Sequence, residues 1–274
     1  NKYVFFVCWF LKNLMQSVAM GLAWAVHLTI WVKTDTILGS TMNESNDLRA
    51  QILELKRRHN AIILAHNYQV EAVQLEADFL GDSLELSRKA AALSQEVIVF
   101  AGVKFMAETA KILSPTKRVL LTRLDAGCPM ADMITVDEVR EMQARYPGAM
   151  VVTYVNSSVE IKAESDVCCT SSNAVQVVKN IPAAEIIFIP DENLGSYVQE
   201  MVPEKKLHLF EGFCYVHNRF HKEEIEFTRE RYPQAILIVH PEVRPEIRAG
   251  ALPVSGKTSS SATFIAVGSA META

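Results

Sequence analysis

The sequence has little cysteine and no excess of positive charge. Its five cysteines are odd in number and lack the spacing of a disulfide framework, which argues against a secreted disulfide scaffold and favours a reducing cytoplasm. The formal net charge is -5, and no basic stripe with interleaved aromatic residues is present. The chain therefore has no general attraction to nucleic acid, and we expect no nucleic-acid partner.

Hydrophobic residues, in contrast, are abundant. The chain has 274 residues, of which 49% are hydrophobic and 22% charged, so it is not disordered and can bury a sizeable core. This length gives room for two or three small domains.

Residues 1–43 differ in composition from the rest. They contain all three tryptophans, and residues 13–32 carry no formal charge. That stretch has about the length of a bilayer-spanning helix, although it includes Gln16, Ser17 and His27. We expect an apolar N-terminal extension on a cytoplasmic protein. The alternative is a protein anchored to the membrane through residues 13–32.

Short polar segments follow the apolar runs in the remaining sequence. Four of these runs, 61–65, 150–153, 207–210 and 235–239, are typical of buried parallel strands. Ligands of open α/β sheets bind beyond the carboxyl ends of the strands, so polar residues placed there are candidates for an active site. The segments are His66-Asn67-Tyr68, Gly81-Asp82-Ser83, Cys128-Pro129-Met130, Tyr154-Val155-Asn156, Cys214-Tyr215-Val216-His217 and His240-Pro241-Glu242.

Helix and strand patterns alternate from residue 44 onward. Asn46 and Ser83 are expected to cap helices, and Thr135 with Glu138 has the spacing of a capping box. Such alternation predicts βαβ units and an α/β fold with mostly parallel sheets.

An internal repeat refines this prediction. Residues 154–163 align without gaps with residues 240–249, and both segments end in Glu-Ile, a basic residue and Ala. Residues 101–110 form a weaker third copy when one residue is added. We expect three pseudo-symmetric αβα units around a central site, over residues 44–126, 127–206 and 207–274, the third being incomplete.

Two cysteines occupy matching places in two of these units. Cys128 and Cys214 each follow a predicted strand, where a lone cysteine is usually an inert packing residue. Matching positions favour a metal site that takes one thiolate from each unit. A third ligand would be expected well beyond Glu242, but the sequence reaches Ala274 without another cysteine.

Two hydroxyl clusters are candidates for binding anions. Thr170 and Ser171 precede a predicted helix, where they either bind phosphate or cap the helix. Residues 255–260 form a second cluster, which is either a phosphate or carboxylate clamp or a serine-rich turn.

Taken in order, the motifs resemble those of the quinolinate synthase family of bacterial NAD biosynthesis. The resemblance covers residues 46–260 and rests on AHNYQ, GDS, GCPMAD, TYVNSS, CTSSNA, GFCYVH and HPE. It implies three αβα domains around one site and a transferase that condenses iminoaspartate with dihydroxyacetone phosphate in pyridine nucleotide biosynthesis. It also implies a 4Fe-4S cluster that acts as a Lewis acid rather than an electron carrier.

The resemblance assigns roles to individual residues. It makes Cys128 and Cys214 two of the three cluster ligands, the third being absent from this chain. It places Tyr68, Tyr154 and Glu242 in proton transfer and dehydration. Substrate binding falls to His66, Ser83, Asn156, Ser171, His240, Thr258 and Ser259.

The missing third cysteine leaves a second interpretation open. The chain is then a non-catalytic, truncated remnant that binds small phosphorylated anions without a cluster. An aspartate-oxidising enzyme that supplies iminoaspartate is the protein partner that the resemblance suggests.

Overall fold

The computed structural model describes residues 42–253 and 264–267. The predicted extension over residues 1–43 lies almost wholly outside this part of the chain, and the 13–32 segment, Thr258 and Ser259 lie entirely outside it. Among the described residues, no helix is both long enough and apolar enough to cross a bilayer.

The first sheet is parallel and is built from alternating strands and helices. Its strands are β1 (Ala61–His66), β2 (Phe79–Gly81), β3 (Val97–Ala101) and β4 (Arg118–Leu121). The helices in this region are α1 (Met42–Arg58), α2 (Glu71–Gln74), α3 (Ser83–Ala92) and α4 (Lys104–Leu113). The strands lie in the order β2-β1-β3-β4, and all of them pair in parallel.

The second sheet repeats this arrangement. Its strands are β5 (Met150–Tyr154), β6 (Val167–Cys169), β7 (Glu185–Ile189) and β8 (Lys206–Leu209). The helices are α5 (Val136–Arg145), α6 (Val159–Ala163), α7 (Ala174–Asn180) and α8 (Glu192–Met201). The order β6-β5-β7-β8 matches that of the first sheet, again with parallel pairing.

The third sheet has three described strands. They are β9 (Ile236–Val239), β10 (Leu252–Pro253) and β11 (Phe264–Val267), in the parallel order β10-β9-β11. The helices are α9 (Tyr215–Asn218), α10 (Lys222–Arg231) and α11 (Pro245–Arg248). The predicted α/β fold with parallel sheets is therefore confirmed. Among the described residues, those up to Gly127 form one compact unit and those from Cys128 onward form another.

Helix capping agrees with the sequence at one of the three predicted positions. Thr135 and Glu138 form the predicted capping box, each bonding the other's backbone N–H. The prediction for Ser83 is wrong by one residue, because Asp82 is the cap and its carboxylate accepts from two backbone N–H groups. The prediction for Asn46 is also wrong, since α1 already begins at Met42.

The matching sheet orders identify which strand ends are equivalent. The strands β1, β5 and β9 occupy the same place in their sheets, which makes His66, Tyr154 and His240 equivalent positions. The segment 101–110, expected as a third repeat copy, follows β3, whose counterpart is β7. The third copy is instead the gap-free segment 66–75. Its glutamine at position 74 replaces the basic residue that marked the other two copies.

We expect the core around Phe188 to dominate the stability of the second sheet. This side chain is fully buried against Val152 and Leu194. Phe188→Ala should lower the free energy of unfolding by about 3 to 5 kcal/mol, because it leaves a cavity in a packed core. Phe227→Ala is the matched control, since that side chain is 64% exposed. Urea unfolding would show a change within about 0.5 kcal/mol for the control, and equal losses in both variants would contradict this packing.

Candidate active site

Tyr154 and Glu242 meet although 88 positions separate them in the sequence. Tyr154 ends β5, and Glu242 lies three residues beyond the last residue of β9. The Tyr154 hydroxyl hydrogen-bonds to the Glu242 carboxylate and to Ser171, which follows β6. Glu242 is only 2% exposed. A phenol, a carboxylate and an aliphatic hydroxyl therefore form one polar network, in which Tyr154 and Glu242 are buried and Ser171 is half-buried.

His217 completes this network from α9. Its Nδ1 lies 2.9 Å from Oε2 of Glu242. The contact is a close ion pair between the imidazole ring and the carboxylate. The ring stacks on that of His240 with 4.5 Å between centroids, and it also hydrogen-bonds to Cys214.

The surroundings set the protonation of these groups. Burial pushes the pKa of Glu242 upward, but the facing rings of His240 and His217 outweigh burial and lower the pKa to about 2. Burial lowers the pKa of His240 to about 4, so that ring is neutral near pH 7. Burial acts in the same direction on His217, but Cys214 and Glu242 raise its pKa to about 10. Of the two rings, His217 carries the positive charge that balances Glu242.

The two cysteines expected to bind metal lie against one core cluster. Cys128 and Cys214 pack on the same set of buried residues, which includes Tyr154, and both are free thiols. Burial raises the pKa of Cys128, and the charges of Cys214 and Glu242 act in the same direction. The two sulfurs are therefore within electrostatic reach of each other without forming a disulfide.

The donor atoms at this place suit a transition metal. One ligand atom each from Cys214, His217 and Glu242 lies within 4.8 Å of the others. Thiolate and imidazole are ligands for iron and zinc, and Cys128 adds a second sulfur nearby. These residues fit a metal centre to which Cys128 and Cys214 each supply one thiolate. The other described cysteines, Cys168 and Cys169, are buried within β6 as packing residues.

Asp191 belongs to the site, but the sequence did not indicate it. It follows β7 and is fully buried. Its Oδ1 accepts from the backbone N–H of Leu194 at 2.6 Å, and its Oδ2 accepts from that of Cys214 at 3.0 Å. Burial first, and the charge of Glu242 second, raise the pKa of Asp191 to about 8. Its position directly after the Phe-Ile-Pro end of an apolar run was the available signal.

The predicted residues of the first unit lie around the end of β1. His66 is buried, and its Nδ1 accepts from the backbone N–H of Tyr68 at 3.3 Å, while the two rings lie 3.5 Å apart. Burial lowers the pKa of His66 to about 4, an effect that Asp82 partly offsets. Ser83 opens α3 and is half-buried.

Two further predicted residues lie on loops after strands of the second sheet. Asn156 is half-buried, two residues beyond the end of β5. Ser171 does not cap α7, because Asn173 occupies the cap position. Its contact with Tyr154 makes Ser171 part of the polar network instead.

Known proteins resemble this chain in overall sequence. Residues 50–272 match the family model described as Quinolinate synthetase A protein. Quinolinate synthase of Caldicellulosiruptor saccharolyticus is 54% identical over 200 residues, which are 73% of this chain and 66% of that protein. Quinolinate synthase of Alkaliphilus metalliredigens is 52% identical over 206 residues, which are 75% of this chain and 68% of that protein.

A third relative gives the same result. Quinolinate synthase of Thermodesulfovibrio yellowstonii is 55% identical over 197 residues, which are 72% of this chain and 65% of that protein. The chain thus spans about two thirds of the length of the curated relatives that it matches. With a family model that matches most of its length, the chain belongs to the quinolinate synthetase A family.

Proposed function

We propose that this protein condenses iminoaspartate with dihydroxyacetone phosphate to form quinolinate, releasing one phosphate and two water molecules. The observation that carries the proposal is the contact chain from Tyr154 through Glu242 and His217 to Cys214, with Cys128 on the same core cluster. Family membership supports the same reaction. The division into units 44–126, 127–206 and 207–274 stays a proposal, which the repeated sheet order supports.

The cofactor of the proposed reaction is a 4Fe-4S cluster held by Cys128 and Cys214 together with a third ligand. When bound, a cluster with an iron free of protein thiolate supplies a Lewis acid for substrate oxygens. The two free thiols are half-buried, which suits cluster ligands. A cytoplasmic location remains part of the proposal, because the five cysteines lack the spacing of a disulfide framework.

The residues of the network would handle the protons of the reaction. Glu242 is ionised near neutral pH and can accept a proton in the dehydration steps. The Tyr154 hydroxyl bridges Glu242 and Ser171, so it can pass a proton along this line. The protonated His217 beside the carboxylate supplies positive charge for an anionic substrate.

Substrate binding by His66, Ser83, Asn156, His240, Thr258 and Ser259 rests on the family resemblance. The same holds for Tyr68 as a catalytic residue and for an aspartate-oxidising enzyme as the supplier of iminoaspartate.

Removal of either proposed cluster ligand should abolish cluster binding. Anaerobic reconstitution of the wild-type chain should give the broad visible absorption of a 4Fe-4S cluster, and Cys128→Ala and Cys214→Ala should lose it because each removes one thiolate. Cys168→Ala is the control, since that cysteine lies within β6. Wild-type protein that binds dihydroxyacetone phosphate but no iron would favour the anion-binding remnant, and protein that binds neither would contradict both interpretations.

Glu242 should matter for turnover more than for substrate affinity. Glu242→Gln keeps the size of the side chain but removes the proton acceptor, so kcat for quinolinate formation should fall roughly 100-fold or more. Glu246→Gln is the matched control, because that carboxylate has 53% of its side chain exposed and pairs with Arg244. Steady-state kinetics on reconstituted protein measures both variants. A Glu242→Gln enzyme with wild-type kcat would exclude Glu242 as the base.

A further inference from the structure

Each of the three equivalent strand ends is followed, eight positions later, by a long polar side chain. The pairs are His66 with Gln74, Tyr154 with Lys162, and His240 with Arg248. Each of these later residues lies on the short helix after its strand, α2, α6 or α11. The spacing is the same in all three copies, although the residue type differs.

In the second copy the side chain is a buried lysine. Lys162 is 1% exposed, and its Nζ donates to the backbone carbonyl of Ser157 at 2.6 Å. Ser157 lies three residues beyond the strand end Tyr154. The loop between them carries Asn156.

In the third copy a buried arginine makes the corresponding contact. Arg248 is 5% exposed, and its Nη1 donates to Val243 O at 2.9 Å and to Pro241 O at 3.3 Å. Val243 is three residues beyond His240, and these two carbonyls flank Glu242. The same guanidinium also reaches α8, where it donates to Asn193 O at 3.0 Å and to Glu200 Oε1 at 2.7 Å.

In the first copy a neutral amide does the same. Nε2 of Gln74 donates to Gln69 O at 2.7 Å and to Asn67 O at 2.9 Å. In all three copies, therefore, the long side chain bonds the backbone carbonyl of the third residue after the strand end. In two copies it also bonds the carbonyl of the first residue after that end.

The common requirement at this position is a hydrogen-bond donor and not a charge. Burial of a lysine or arginine is costly, and an apolar side chain would fill the same space without that cost. Lysine, arginine and glutamine share little except N–H groups at the end of a long stem. Those groups hold the backbone of the loop whose side chains form the proposed site.

We propose that Lys162 and Arg248 are positioning residues, each fixing the backbone of the loop that carries site residues, Asn156 for Lys162 and Glu242 for Arg248, with Gln74 as their counterpart after His66. The consequence for turnover rests on the proposed function, whereas the consequence for loop structure does not.

Hydrogen exchange of the two loops, followed by mass spectrometry, tests this proposal without substrate. Arg248→Met should speed amide exchange in residues 240–249 by about ten-fold or more, and Lys162→Met should do so in residues 154–163, because each loses hydrogen bonds from a charged donor. Each variant should leave the loop of the other unchanged. Arg88→Met and Lys179→Met are matched controls on exposed positions and should alter neither loop.

Substitutions that swap lysine and arginine between the two copies test whether the side chain positions the loop or only fills space. Arg248→Lys and Lys162→Arg keep a donor, so their loop exchange should lie closer to wild type than that of the methionine variants. Wild-type exchange in both methionine variants would overturn the proposal, as would equal acceleration throughout the protein or no rescue by the donor variants. If Arg248→Met does not fold, Lys162→Met with its Lys162→Arg rescue decides the question.

Steady-state kinetics of the same variants then shows whether the position of the loop affects turnover. In reconstituted protein that forms quinolinate, Arg248→Met should lower kcat by about ten-fold, with a smaller change in KM, because Glu242 loses its fixed place. A wild-type chain that forms no quinolinate would contradict the proposed function, while the exchange data would still decide the positioning role. Wild-type kcat in Arg248→Met, with a faster-exchanging loop, would overturn the link between loop position and catalysis.

Discussion

The carboxylate of Glu242 is almost fully buried, so neighbouring groups must balance its negative charge. These groups come from the second and the third sheet, so the positions of the two sheets depend on each other. An ionised carboxylate in the interior is stable only with charged or hydrogen-bonding partners. Tyr154 donates to it from the end of β5, and His217 faces it from α9 at 2.9 Å. A shift in any of these elements would leave a buried charge without compensation, so the site and the packing of these sheets depend on each other.

A repeated backbone scaffold makes this convergence possible. The equivalent strands β1 and β5 end in His66 and Tyr154, and His240 directly follows β9. In two of these copies the histidine Nδ1 accepts from the backbone N–H two residues later. Asp78 and Asp166 likewise accept from the backbone N–H of Ile63 and Val151 in equivalent strands. The copies therefore share main-chain geometry, while the side chains at the strand ends supply different chemistry.

The sequence predicted the parts of this arrangement that depend on local patterns. Alternating apolar runs predicted the parallel strands, and the strand-end rule singled out Tyr154 and Glu242. Asp191 and Arg248 were missed because part of their bonding depends on tertiary packing: Cys214 lies 23 positions from Asp191, and Asn193 lies 55 positions from Arg248. The first repeat copy was misplaced because glutamine stands there for lysine or arginine, and a residue-type signature does not detect a shared donor.

In the proposed site, the thiols of Cys128 and Cys214 hold one iron centre beside the Tyr154–Glu242 network. Crystals of anaerobically reconstituted protein, measured on both sides of the iron absorption edge, test it most directly. We expect anomalous iron density bonded to both sulfurs, at about the 2.3 Å typical of metal–thiolate bonds. Iron bound elsewhere, or sulfurs of Cys128 and Cys214 that share no iron density, would contradict it.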